Sequence, residues 1–256
     1  MHDLFDTNVC DDLADINSTM PLIGDPAPQF TAETTNGHVN FPDDYAGKWV
    51  ILFSHPADFT PVCTTEFMGF QAMLPEFQEL NTELIGLSIG TLTGHLAWIN
   101  AIRDIDFHGW KDLKITFPII DDMSMEIANK YGMIQPGAAD TKTVRAVFII
   151  DPRGIIRTIL YYPLSTGRNL AEIKRILIAL QTTDAFHVST PVNWQPGDDV
   201  VVGAPATTAE MDQRINNKDK SLDVKAWFLT FKALSSDEIF NQLHNASSGI
   251  GRKRKQ

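Results

Sequence analysis

Between Gly47 and Pro56 the chain reads Trp49-Val50-Ile51-Leu52-Phe53-Ser54, with no polar alternation. A strand with one wet face alternates apolar and polar residues, so an unbroken apolar run suits a strand buried on both faces of a parallel or mixed sheet. Leu84-Ile85-Gly86-Leu87-Ser88-Ile89 reads the same way. Between the two runs, Phe67, Phe70, Leu74 and Phe77 recur at steps of three and four, the buried stripe of an amphipathic helix. Strand, helix, strand is a βαβ unit, and it commits the chain to an α/β fold.

Later segments extend that core. Val144 to Ile150 and Gly154 to Leu160 flank Asp151-Pro152-Arg153-Gly154, whose proline and glycine fit the middle and end of a type I turn, so a β-hairpin is expected. Asn169 can cap a helix whose apolar positions Leu170, Ile173, Leu177 and Leu180 keep helical spacing. After about residue 184 the chain changes character, with Pro191, Pro196 and Pro205 spaced through polar segments. That stretch is not expected to build a core of its own, and a neighbouring subunit is the natural surface for it to wrap. The expected organisation is an extension over residues 1–20, a main domain over 21–183 and a C-terminal arm over 184–256.

Composition narrows the partners. A net charge of −11 over 256 residues argues against nucleic acid as the main partner, because a polyanion is bound by a basic surface. Arg252-Lys253-Arg254-Lys255 is the exception, and a terminal cluster of this size reads as a solvated tail. No apolar run approaches the ~18 residues of a membrane span, so none is expected. Met1 to Asp6 shows neither a basic start nor an apolar stretch, which predicts a cytoplasmic protein. Two cysteines cannot make a disulfide framework, and a sparse pair in a reducing compartment is read first for reactivity.

One of them, Cys63, stands at a telling place. The segment His55-Pro56-Ala57-Asp58-Phe59-Thr60-Pro61-Val62-Cys63-Thr64-Thr65-Glu66 follows the buried strand and opens the amphipathic helix. Thr60 suits the N-cap and Pro61 the first helical position, which puts Cys63 third, near unpaired backbone N–H groups and the positive end of the helix dipole. A free thiol of pKa ~8.5 is only a few per cent ionised at neutral pH, and making it mostly thiolate takes about 2.7 kcal/mol. The helix end supplies ~0.3–1 kcal/mol, up to ~2 in a favourable site. A cation has to contribute the rest, and arginine, always charged and with several fixed donors, is the residue to look for.

Pro56, Thr60 and Cys63 spell Pro-x-x-x-Thr-x-x-Cys, and the segment His55 to Glu66 resembles that of the peroxiredoxins of the AhpC/TSA family, in particular the one-cysteine, peroxiredoxin-6-like subgroup and the archaeal-type thioredoxin peroxidases. The resemblance runs from about Pro21 through Phe117 to Asp122, Val144-Arg145 and Tyr162 to Asn169, as far as Thr190 to Trp194; the extension and the last ~50 residues match weakly. It implies a thioredoxin-like fold, a central mixed sheet flanked by helices with an extended C-terminal arm. It also implies roles. Cys63 is the thiol that reduces hydrogen peroxide and organic hydroperoxides, becoming sulfenic acid; Arg145 favours the thiolate and orients the peroxide. The Thr60 hydroxyl and the Cys63 backbone N–H bind its oxygens, and Pro56 shields the pocket from water. Glu66 and Arg168 support Arg145, and His55 matches a histidine at the pocket mouth.

A sulfenic acid is restored by a second thiol. No cysteine follows Cys63, and Cys10 lies in the extension outside the matched region, where the family has no resolving role. The expectation is a one-cysteine cycle completed by an external reductant, a small thiol or a thioredoxin-like protein. The resemblance also implies homodimers, often five to a ring. The competing reading is a ring-forming holdase chaperone or peroxide sensor in which turnover is secondary. Gly86-Leu87-Ser88-Ile89-Gly90 matches the serine hydrolase pattern Gly-x-Ser-x-Gly, but the apolar run continues through Ile89, unlike a nucleophile elbow. The segment that carries a lipase serine in some relatives reads Ala46-Gly47-Lys48-Trp49-Val50, without serine, so no lipase activity is expected. No cofactor is expected, nor a metal, since the seven histidines and two cysteines show no ligand spacing.

Overall fold

The computed structural model describes residues 20–138, 141–217 and 219–250. Cys10, almost all of the extension and the basic cluster after Gly251 lie outside the described residues.

The first apolar run is strand β3 (Trp49–Ser54), buried at all six positions. It pairs in parallel with β4 (Thr82–Ser88) and antiparallel with β6 (Arg145–Ile150). Helix α1 (Pro61–Glu79) makes the crossover from β3 to β4 and buries Phe67, Phe70, Leu74 and Phe77, the stripe expected of it. The hairpin forms as β6 and β7 (Ile156–Tyr162), and its turn closes with the Gly154 N–H donating to the Asp151 carbonyl at 2.8 Å. Around this nucleus stand β1 (Phe30–Thr34), β2 (Gly37–Phe41) and β5 (Ile119–Asp121), giving seven strands in the order β2-β1-β5-β4-β3-β6-β7.

Alternate residues of β3 feed two cores. Trp49, Ile51 and Phe53 point into a layer with α1, α2 (Leu92–Ile102) and α4 (Leu170–Phe186). Val50 and Leu52 face the other side, with Phe30, Phe41, Tyr131 and Phe148, near the short α3 (Glu126–Lys130). Burial on both sides is what removed alternation from the sequence. Asn169 caps α4 as its position predicts, its side-chain oxygen accepting from the Glu172 N–H at 3.2 Å.

Beyond residue 184 the chain adds a three-stranded sheet, β8 (Val200–Val202), β9 (Leu222–Ala226) and β10 (Leu229–Lys232), in the order β8-β10-β9. Helices α5 (Thr208–Ile215) and α6 (Ser236–Ile250) complete it. Trp194, Val200, Leu234, Ile239 and Leu243 join the α4 side of the main core. These five residues therefore pack on their own chain, a core contribution that the sequence reading did not expect of this stretch. Among the described residues no helix is long and apolar enough to cross a membrane.

Candidate active site

The C-terminal end of β3, the loop after it and the first turn of α1 meet β6 and the start of α4 at one edge of the sheet. Crevices outside the carboxyl ends of parallel strands are where open α/β sheets place their sites. Cys63 lies there, in the first turn of α1 and fully buried.

Arg145, the first residue of β6, is held against it. Its Nη1 donates to Cys63 Sγ at 3.3 Å and to Glu66 Oε2 at 2.7 Å, while Nε and Nη2 donate to the Leu164 carbonyl at 3.1 and 2.8 Å. Glu66, one turn beyond Cys63, is shared with Arg168. Arg168 Nη2 donates to Oε2 at 2.6 Å, and its Nε and backbone N–H donate to Oε1 at 3.0 and 2.9 Å. The remaining Arg168 nitrogen, Nη1, donates to the carbonyls of Ser54 and Ala146, and the guanidinium stacks 5.0 Å over the Phe53 ring. Burial lowers the Arg168 pKa, against the opposing pull of the Glu66 charge. Arg168 is thus an internal support for Glu66 and not a bridge between surface carboxylates.

Two guanidinium cations and one carboxylate leave this buried cluster one positive charge in excess.

Thr60 occupies the N-cap of α1, but its side chain makes no capping bond; Oγ1 donates to the Ala57 carbonyl at 2.8 Å. Phe59 before it adopts the left-handed region at φ 56° with its ring exposed, a conformation a bulky residue holds only under constraint. Pro56 is buried at the start of the loop. An apolar recess of about 380 Å³ opens beside this turn, lined by Phe59, Thr60, Thr64, Met68, Trp98 and Phe107.

His55 is fully buried, in the wall behind the turn and not exposed at a mouth, with its ring stacked 5.0 Å from Trp98. Its Nε2 lies 2.8 Å from Asp58 Oδ1, and Asp58 Oδ2 lies 2.7 Å from Nδ1 of His95 on α2. Burial lowers the His55 pKa, although Asp58 works to raise it. Burial also pushes Asp58 up, but the hydrogen bonds from both histidines outweigh it and hold the carboxyl at about 2. Sequence reasoning missed Asp58 and His95. They are 37 residues apart, and only the packing of α2 against the end of the sheet brings them together. Ser88 closes β4 and is buried, as a strand-end residue rather than the tip of an elbow.

Comparison with known proteins shows the family. The model of the AhpC/TSA family matches residues 23–159, and that of the C-terminal domain of 1-Cys peroxiredoxin matches residues 179–218. A peroxiredoxin of Methanosarcina mazei is 58% identical over 214 residues, covering 83% of this chain and 98% of that protein. One from Aquifex aeolicus is 46% identical over 84% of this chain and 97% of its own length. Among solved structures, yeast mitochondrial 1-Cys peroxiredoxin superposes with a TM-score of 0.71 at 38% identity, covering 84% of this chain and all of that one. A cysteine-to-serine mutant of peroxiredoxin 6 of Arenicola marina gives 0.72 at 33% identity, covering 84% and 99%. With a thioredoxin-like sheet, a buried thiol at a helix start and relatives that span most of its length, the chain belongs to the AhpC/TSA family of peroxiredoxins, thiol-dependent peroxidases, and to its one-cysteine type.

Proposed function

We propose that Cys63 is the peroxidatic thiol of this enzyme and that Arg145, Thr60 and Pro56 complete its reaction site, with Glu66, Arg168 and His55 in support. The observation that carries the reading is the 3.3 Å contact from Arg145 to Cys63 Sγ, made by a guanidinium that Glu66 and the Leu164 carbonyl hold on its other sides. The Cys63 thiolate attacks the terminal oxygen of a hydroperoxide; the S–O bond forms as the O–O bond breaks, and the electron pair leaves on the other oxygen, which takes a proton to become water or an alcohol. Charge builds on that leaving oxygen, so donors already in place lower the barrier. Arg145 supplies them, and the Thr60 hydroxyl, which donates to the Ala57 carbonyl at 2.8 Å in this structure, is assigned to the peroxide oxygens by the family resemblance. The apolar recess beside Thr60 suits the organic part of an alkyl hydroperoxide.

Cys63 is the free cysteine among the described residues, so the sulfenic acid is reduced by thiols from outside the chain: two thiols become a disulfide as Cys63 returns to thiol and water is released. The solved yeast relative is described as resolved through glutathione and thioredoxin systems, and a small thiol or thioredoxin-like protein is the reductant class proposed here. We further assign residues 21–183 to the peroxidase domain, 1–20 to an extension and 184–256 to an arm serving homodimers and a decameric ring of five dimers, in the cytoplasm. Stopped-flow oxidation by hydrogen peroxide and by an organic hydroperoxide tests the reading. Oxidation no faster than that of free cysteine would overturn it. The chaperone or sensor alternative is not favoured by the family comparison; it requires a holdase effect that survives Cys63→Ser while turnover is lost.

A further inference from the structure

The triad His55, Asp58 and His95 brings two imidazoles and a carboxylate to one buried point beside the loop into α1. His95 Nε2 lies 3.1 Å from the Ile120 carbonyl, which can only accept, so this nitrogen bears the ring proton and the Nδ1 lone pair is turned to Asp58. His95 Nδ1 stands 2.7 Å from Asp58 Oδ2. Something positive has to stand between them, either a second proton or a metal ion.

Several features favour the metal. One ligand atom from each of the three residues lies within 4.8 Å of the others. Two imidazoles and a carboxylate are the donor set of a borderline first-row divalent cation, held at ~2.0–2.2 Å. A ligating histidine ordinarily donates its other N–H to a carbonyl, which fixes its tautomer and aim, and the Ile120 carbonyl does this for His95. Space for that ring depends on Gly90, where an added Cβ would stand 2.9 Å from His95 Cε1 and 3.3 Å from Ser88 Oγ. The Ser88 hydroxyl, fully buried, has no hydrogen-bond partner among the described residues.

We propose that His55 Nε2, Asp58 and His95 Nδ1 bind one divalent cation of the Zn²⁺ type, which takes the place of the protons between Asp58 and the two rings: the one on His95 Nδ1 is released to solvent and the one on His55 Nε2 moves to Nδ1 of the same ring. Three protein ligands leave a coordination position for water. Because His55 and Asp58 flank the loop into α1 while His95 sits on α2, the ion ties the loop that precedes Cys63 to the neighbouring helix.

The test uses tag-free full-length protein carrying Cys10→Ser and Cys63→Ser, so that no thiolate competes and the result is independent of the peroxidase reading. Zn²⁺ binding is measured against a chromophoric chelator, with and without His95→Gln or Asp58→Asn. The expected result is one equivalent per chain, weakened at least about tenfold by either substitution. In the thiol-free parent, ¹⁵N spectra should show Zn²⁺ moving the ring signals of His55 and His95 and not those of the exposed His38; this readout does not depend on the variants folding. Binding that His95→Gln and Asp58→Asn leave unchanged, absence of a bound equivalent, or Zn²⁺ shifts confined to other histidines would each overturn the proposal.

Discussion

Glu66→Gln isolates the anion that joins the two buried arginines. The wild-type carboxylate accepts from Arg145 at 2.7 Å and from Arg168 at 2.6, 2.9 and 3.0 Å, and it is almost inaccessible to water. The amide keeps the volume but removes the charge and turns an NH₂ toward a guanidinium. Breaking a buried ion pair from one side costs about 3–5 kcal/mol, because the remaining charge is left uncompensated. In a chain of this size 1 kcal/mol is about 2–4 °C of melting temperature, so a fall of roughly 6–20 °C is expected by calorimetry. Arg145 loses one of its three anchors, and a donor to sulfur worth about 1.5–3 kcal/mol when charged translates into a loss of roughly 10- to 150-fold in the rate of Cys63 oxidation. The double variant Glu66→Gln, Arg168→Met decides the cause. If uncompensated charge dominates, removing Arg168 as well is less damaging than the two single effects added together. A fall in melting temperature under about 2 °C with an oxidation rate within threefold of wild type would refute the charge-cluster reasoning.

Cys63→Ser should abolish thiol-dependent peroxide consumption while shifting stability by less than about 1 kcal/mol, as steady-state turnover and thermal melts together would report. Asp151, buried at the hairpin turn, would be raised by burial, but its bonds from Arg153 and the Ile155 N–H bring its pKa below the ordinary carboxylate value. A lowered folded-state value gives stability that is complete above an unfolded pKa of ~3.9 and is lost as pH falls further, so Asp151→Asn should flatten the acid limb of a stability–pH curve below about pH 4. Trp194→Ala opens a large cavity at a fully buried ring whose Nε1 donates to the Asp198 carbonyl at 3.1 Å; a loss of about 3–5 kcal/mol in one cooperative denaturant transition is expected. Separate unfolding of the C-terminal segment in that experiment would contradict its place in the common core.

What the sequence displayed well was whatever a single period could carry. The unbroken run of β3 and the three-and-four spacing of α1 marked the central βαβ unit, and the same pattern placed α4 behind its asparagine cap. Cys63 was visible because helix-start chemistry is local. Strand β5 has only three residues and α3 only five, too few for a period, and α3 begins after Met125 in the left-handed region, its first N–H groups capped from further back by the Asp122 carboxylate, which accepts from Ile127 and Ala128. Position alone suggested a capping bond from Thr60, whereas the hydroxyl turns back to Ala57. The C-terminal segment looked coreless because its apolar residues are scattered singly; Trp194, Val200, Leu234, Ile239 and Leu243 contribute to a core that other elements had already begun, while Val192, Ile215 and Phe228 stay exposed. The Asp58–His95 contact left no trace in spacing, since packing between α2 and the sheet end creates it.

The pairing of β3 with β6 sets the accuracy of the proposed reaction centre. Cys63 follows β3 by a short loop and Arg145 opens β6, and these strands are adjacent rungs, with Phe53 opposite Val147. A slip of one residue along that ladder is ~3.3 Å, as long as the contact it would destroy. Neither face of β3 is polar, so hydropathy alone would tolerate the slip; the Ser54 hydroxyl, donating to the Val144 carbonyl at 2.6 Å and accepting from the Ala146 N–H at 3.1 Å, acts as the detent. Backbone alignment in the middle of the molecule is therefore a kinetic parameter, and enzymatic rate becomes a ruler for strand register.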